Sequence, residues 1–123
     1  MIFHIASAAD WEKAQREGSY RPESLAGEGF IHCSTAGQAL RVANAFFRGR
    51  TGLLLLAIDE GRLRPALRWE GPAPPKPGAM EHGAGEKFPH LYGPLNVDAV
   101  VSAAPLACAE DGSFVWPDGL EPA

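Results

Sequence analysis

Leu53 to Ile58 reads Leu-Leu-Leu-Leu-Ala-Ile, an unbroken apolar run that ends at Asp59-Glu60-Gly61. It is of strand length and shows no alternation, the pattern of a strand covered on both faces. It therefore predicts a central strand, with a turn at Asp59-Glu60-Gly61. It is also the longest apolar run in the chain and far too short to cross a bilayer.

The rest of the chain supplies partners for that strand. Ile2-Phe3-His4-Ile5-Ala6 is a first strand carrying one histidine. Ser7 and Asp10 have capping-box spacing, Trp11, Ala14 and Gln15 repeat at helical intervals, and Gly18 closes the helix. Ser19-Tyr20-Arg21-Pro22 reads as a loop, and Ser24 to Gly27 leads into a second strand that ends at Phe30-Ile31. Thr35 and Gln38 form a second capping pair. Ala36, Leu40, Ala43 and Phe47 then make one helical stripe, widened by Val42 and Phe46, with Gly49 as its stop. Short strands are expected at Ala66–Glu70, Ala99–Ala104 and, on an edge, Ser113–Trp116. Gly71 to Lys87 holds four prolines and four glycines, which favours a mobile surface loop beside the cleft mouth over a regular element. The tally is two early helices and four to six strands, an α+β fold, in one domain spanning residues 1–123 with a tail over about 117–123.

Bulk composition excludes several classes. A length of 123 residues suits one core. A net charge of -4 argues against electrostatic capture of nucleic acid or an anionic membrane, while a small anionic ligand remains compatible with a few local arginines. Two cysteines, Cys33 and Cys108, have no clip spacing. With no basic-then-apolar leader, a reducing cytoplasm with free thiols is the expected compartment. There is no dinucleotide fingerprint, phosphate loop, His-Glu-x-x-His or Gly-x-Ser-x-Gly motif.

Candidate site residues cluster in three strings. Glu28-Gly29-Phe30-Ile31-His32-Cys33-Ser34 places reactive groups at a strand-to-helix junction, beside a helix N-terminus suited to an anion. Ser34 is a candidate cap for that helix. Phe88-Pro89-His90-Leu91-Tyr92-Gly93-Pro94-Leu95 is rigid and aromatic, fitting either a wall for a flat ligand or a tight turn with packed rings. His4 lies on the first strand, on the face opposite Phe3 and Ile5. Glu70 ends a short strand, where a carboxylate can steady a sugar cation or be merely solvated. Cys33 reads as a buried inert thiol, and His82 as a solvated loop residue. His4 and His32 also have a plain structural reading as packed core residues.

With these strings assembled, the chain resembles a bacterial family known as domain of unknown function 952. The matching residues are Ile2-Phe3-His4-Ile5, Trp11, Ala14, Gly18, Tyr20, Ser24-Leu25, Glu28 to Ser34, Gln38, Val42-Ala43-Asn44, Phe46-Phe47, Leu56, Ile58-Asp59, Glu70 and Phe88 to Leu95. They span about residues 2 to 106. The resemblance implies a fold like that of ADP-ribosyltransferases and RNA 2′-phosphotransferases: a small split β-sheet cleft with two or three helices. It places His4 at the first-strand position of those enzymes and His32 or Ser34 beside the nicotinamide ribose. Glu70 or His90 stands in place of their later glutamate. Arg21 is the only arginine expected near the site, fewer than an RNA 2′-phosphate calls for.

The expected activity is ADP-ribosyl transfer from NAD or a related compound. His4, His32, His90 and Glu70 form the catalytic set, and Ser34, Tyr20, Arg21 and Tyr92 the binding set, with the two tyrosines flanking the ring system. No metal cofactor is expected. Two alternatives stand beside it: a nucleotide-binding module without turnover, and a zinc site built from His4, His32 and His90.

Overall fold

A computed structural model describes residues 1–71 and 86–120 of the chain. Most of the segment expected as a mobile loop, including His82, lies outside the described residues. The fold is α+β, with three α-helices and antiparallel sheets among the described residues.

Strand β1 (Ile2–Ser7) runs directly into helix α1 (Ala8–Glu17). The switch is local: Ser7 Oγ accepts the Asp10 N–H at 3.1 Å, and Gly18 closes the helix in the left-handed conformation. Two residues, Ser19–Tyr20, form β2, and Glu23–Glu28 form a short helix α2 where the sequence predicts a lead-in to a strand. Helix α2 follows Pro22 and stops at left-handed Gly29. Strand β3 is Ile31–His32, and helix α3 covers Ala36–Phe46. The cap of α3 is Thr35, whose N–H donates to Gln38 Oε1 at 3.0 Å, so Ser34 is not the capping residue.

Leu53–Ile58 is β4, the centre of a three-stranded sheet ordered β1–β4–β8, where β8 is Val100–Leu106. Every β4 residue except Leu54 is buried. The two faces of β4 enter different layers. Leu56 and Ile58 pack with Ile2, Ala6, Ile31 and Leu91, whereas Leu55 and Ala57 pack with Phe3, Ala39 of α3 and Leu120. Pro105 sits in β8, which is an edge strand and tolerates the missing donor.

A second three-stranded sheet, ordered β3–β6–β5, uses Ala66–Glu70 as β5 and Phe88–Tyr92 as β6. The Phe88 to Tyr92 string is thus a strand rather than a turn. Leu95–Asn96, β7, pairs with β2. Ser113–Trp116 does not form the expected edge strand. Only Phe114 bridges, to Cys108, while its N–H goes to Asn44 Oδ1 at 2.8 Å. Trp116 leaves the line to pack edge-on against Phe3, with centroids 5.1 Å apart, and donates its indole N–H to the Leu120 carbonyl. Leu120 is itself buried, so described residues of the expected tail belong to the core.

Gly93 follows β6 at φ 152, where a Cβ would lie 2.7 Å from Pro65 Cβ. That turn fixes how β6 hands over to β7, and a side chain there brings both backbone strain and a clash. Gly93→Ala is expected to cost about 1–3 kcal/mol in urea unfolding. Gly27→Ala, whose Cβ meets nothing within 4 Å, should be close to neutral or stabilising. Equal midpoints for Gly93→Ala and the parent chain would contradict this account.

Candidate functional site

Residues two apart on a strand share a face. In the β3–β6–β5 sheet the register sets His32 opposite His90 and His90 opposite Arg68. On the same face, Tyr92 and Phe88 flank His90, and Glu70 follows Arg68. The other face carries Ile31 and Leu91, both 0% exposed and part of the core. Burial of that apolar face therefore puts the polar residues of the three strands on the opposite face, where His32 is partly exposed and His90, beneath Phe30, is only 3% exposed.

The rings on this surface meet. Phe30 stacks on His90 with centroids 4.2 Å apart and planes 22° apart, and lies 4.8 Å from His32 and 5.4 Å from Tyr92. The His32 and His90 rings are 5.6 Å apart, edge to face. Each imidazole is anchored by a carboxylate. His90 Nδ1–H donates to Glu70 Oε1 at 2.9 Å, and His32 Nε2–H donates to Glu28 Oε2 at 2.9 Å. In a neutral ring that leaves His90 Nε2 and His32 Nδ1 as acceptors. The Tyr92 hydroxyl donates to the same Glu70 oxygen at 2.5 Å. This bond, then that of His90, with Arg68 adding a smaller electrostatic pull, holds the Glu70 carboxyl below the usual carboxylate range. The same bond keeps the Tyr92 hydroxyl protonated beyond its ordinary range.

His4 is placed differently. It shares its face of β1 with Ile2 and Ala6, which pack in the core beside Ile31 and Cys33. Its Nδ1–H donates to the His32 carbonyl at 2.6 Å, and its Nε2 accepts the Tyr20 hydroxyl at 2.8 Å. Both ring nitrogens are thereby used within the protein, and the tautomer follows from the carbonyl, which can only accept. Burial lowers the His4 pKa from 6.5 to about 4; the bond to the His32 carbonyl opposes this, and the nearby His32 ring lowers it further. Burial also drives the Tyr20 hydroxyl well above its ordinary range.

Of the sequence candidates, the structure joins His32, His90, Glu70 and Tyr92 on one surface. His4 touches that group only through the His32 backbone. Tyr20 is buried in the core rather than facing Tyr92 across a shared space. Arg21 donates to Ser19 Oγ at 3.3 Å and lines, with Tyr20, Asp10, Lys13 and Glu23, a separate groove of about 360 Å³. Ser34 is buried, its backbone bonded to Phe3 in both directions. Cys33 is a free, buried thiol pushed up to about 12 by desolvation, which keeps it protonated.

No group of three or more His, Cys, Asp or Glu among the described residues is placed to hold a metal ion, so the three-histidine zinc reading does not match the geometry. No helix among the described residues is long and apolar enough to cross a membrane. Phe30 and Arg68 were missing from the sequence candidates. Arg68 was within reach of the alternation rule, since it stands two residues before Glu70 on one strand.

A family model described as protein of unknown function, DUF952, matches residues 5–103. The chain belongs to that family. No curated protein matches it. It is similar to the crystal structure of CC0527 from Caulobacter crescentus, at 35% identity over 93% of this chain and 92% of that one, with a TM-score of 0.78. The solution NMR structure of CC0527 gives 34% identity over 91% and 89%, with a TM-score of 0.70. Membership in the DUF952 family thus brings a shared fold and no activity.

The partly buried, doubly hydrogen-bonded state of His4 has a pH signature. The unfolded ring binds a proton below about 6.5, whereas the folded ring stays neutral to about 4. Its contribution is therefore fully present above pH 6.5 and is lost as pH falls from there through about 4. Urea unfolding of the parent chain and of His4→Gln at several pH values checks this. The stability gap between them should be widest above that window and shrink within it. A gap independent of pH would contradict a His4 held neutral by its packing.

Proposed function

We propose that the surface carrying His32, His90, Glu70 and Tyr92 acts on NAD or a related ADP-ribosyl compound by ADP-ribosyl transfer. The observation that carries this reading is the convergence of His90 Nδ1–H and the Tyr92 hydroxyl on one oxygen of Glu70. Two donors hold the carboxylate ionised and aimed, the condition for steadying positive charge on a ribose ring. The same bond to Glu70 orients His90, so that Nε2 in the neutral ring can take a proton.

In the proposed step the bond between ribose C1′ and the nicotinamide nitrogen breaks, and its electron pair leaves with nicotinamide. A water or hydroxyl oxygen bonds C1′, and its proton passes to His90 Nε2. Phe30 and Tyr92 offer flat surfaces for the departing ring. His32 positions the ribose or a phosphate. His4 and Ser34 act by fixing the backbone beneath His32, not by touching the ligand.

One observation favours a second reading, nucleotide binding without turnover: the Phe30 ring lies stacked on His90 and covers one of its faces. Incubation with NAD and measurement of free nicotinamide separates the two. Catalysis should appear in the parent chain and fall by about 100-fold or more in Glu70→Gln, with an unchanged melting temperature. Glu70 is partly exposed, which makes that variant tolerable to the fold. ADP-ribose that shifts the His90 and His32 ring resonances without nicotinamide release would establish the binding module instead. Neither turnover nor shifts would remove both readings.

A further inference from the structure

The arginines of this chain divide by partner. Arg16, Arg21, Arg41, Arg48, Arg62 and Arg64 each bond or pair with a side-chain oxygen. Arg68 has no such partner among the described residues. Its guanidinium lies over the Tyr92 ring, Cζ 4.9 Å from the centroid, and the residue is exposed. The Arg50 guanidinium likewise lies over a ring, that of Phe47, which follows α3 and is no part of the imidazole surface.

The position of Arg68 is set by the ladder. It pairs with His90, which pairs with His32, so one cross-strand row carries an exposed guanidinium, a buried imidazole and a partly exposed one. The contact with Tyr92 restricts the long side chain while leaving its N–H fork without an oxygen partner among the described residues. A fixed fork of that kind matches phosphate oxygens. Glu70 is the opposing charge nearby. Its Oε1 is engaged by Tyr92 and His90, and it makes no ion pair with Arg68.

We propose that Arg68 anchors a phosphate group of the ligand on this surface and makes the site selective for phosphorylated ribosides over unphosphorylated ones. The proposal rests on the reading of this surface as a site for ADP-ribosyl compounds, and adds to it the residue that selects the substrate class.

Calorimetric titration of the parent chain, Arg68→Gln and Arg68→Lys with ADP-ribose tests it, with nicotinamide riboside as the unphosphorylated control. ADP-ribose affinity should fall by about tenfold or more in Arg68→Gln, the scale of losing a hydrogen bond between charged groups. Arg68→Lys should retain part of it. The salt dependence of ADP-ribose binding should flatten in Arg68→Gln, and riboside affinity should not change. An unchanged ADP-ribose affinity, or an equal loss for both ligands, would overturn the role of Arg68 and leave the nucleotide site standing. Absence of ADP-ribose binding to the parent chain would overturn the site and the anchor together.

Discussion

The backbone bridge between Phe3 and Ser34 is the contact on which the rest of the arrangement depends. Phe3 N–H donates to the Ser34 carbonyl at 2.7 Å, and Ser34 N–H returns to the Phe3 carbonyl at 2.8 Å. One residue earlier, the Cys33 N–H donates to the Pro89 carbonyl at 3.0 Å. The segment between Ile31 and Ser34 therefore serves two sheets at once. It closes the edge of β1 and starts the ladder that holds β6. His4 reinforces the splice by capping the His32 carbonyl, and this explains why a polar ring is kept at a mid-strand position among apolar neighbours.

The splice also separates two environments on either side of one short strand. Toward the core lie Ile31, Cys33 and Leu91, where burial keeps the Cys33 thiol protonated. On the opposite face lie His32, His90, Glu70 and Tyr92, with His90 itself buried, and there bonds between side chains, rather than burial, set the charge of Glu70. The candidate chemistry therefore sits on a surface whose backbone is rigid because its reverse side is packed. Rigid placement of a polar cluster is what differential stabilisation of a reacting group requires.

Elements with a local cause were legible from residue order. The Ser7–Asp10 and Thr35–Gln38 caps and the Gly18 stop depend on groups three or four residues apart, and the Leu53–Ile58 run admits few other readings. Helix α2 was missed because Pro22, Gly27 and Gly29 signal a loop and its six residues are too few for a periodic stripe. Ser113–Trp116 reads as a strand because Phe114-Val115-Trp116 is a short run of aromatic and β-branched residues. In the fold they are claimed one by one by distant partners: Phe114 by Ala43, Leu53 and Leu106, and Trp116 by Phe3.

Sequence by itself determined that this chain is an α+β protein with a buried central strand, that it belongs to the DUF952 family, and that Glu28–Ser34 and Phe88–Leu95 are its distinctive strings. Only the tertiary structure decided which residues of those strings meet. Pairing of β3 with β6 joins positions nearly 60 apart in the chain, His32 with His90, and pairing of β5 with β6 adds Arg68 and Glu70. Strand register and pleat direction are non-local, so no spacing along the chain reveals them. They turned His4 inward to a carbonyl and Tyr20, and they brought Phe30 and Arg68 to a surface where sequence had placed Arg21.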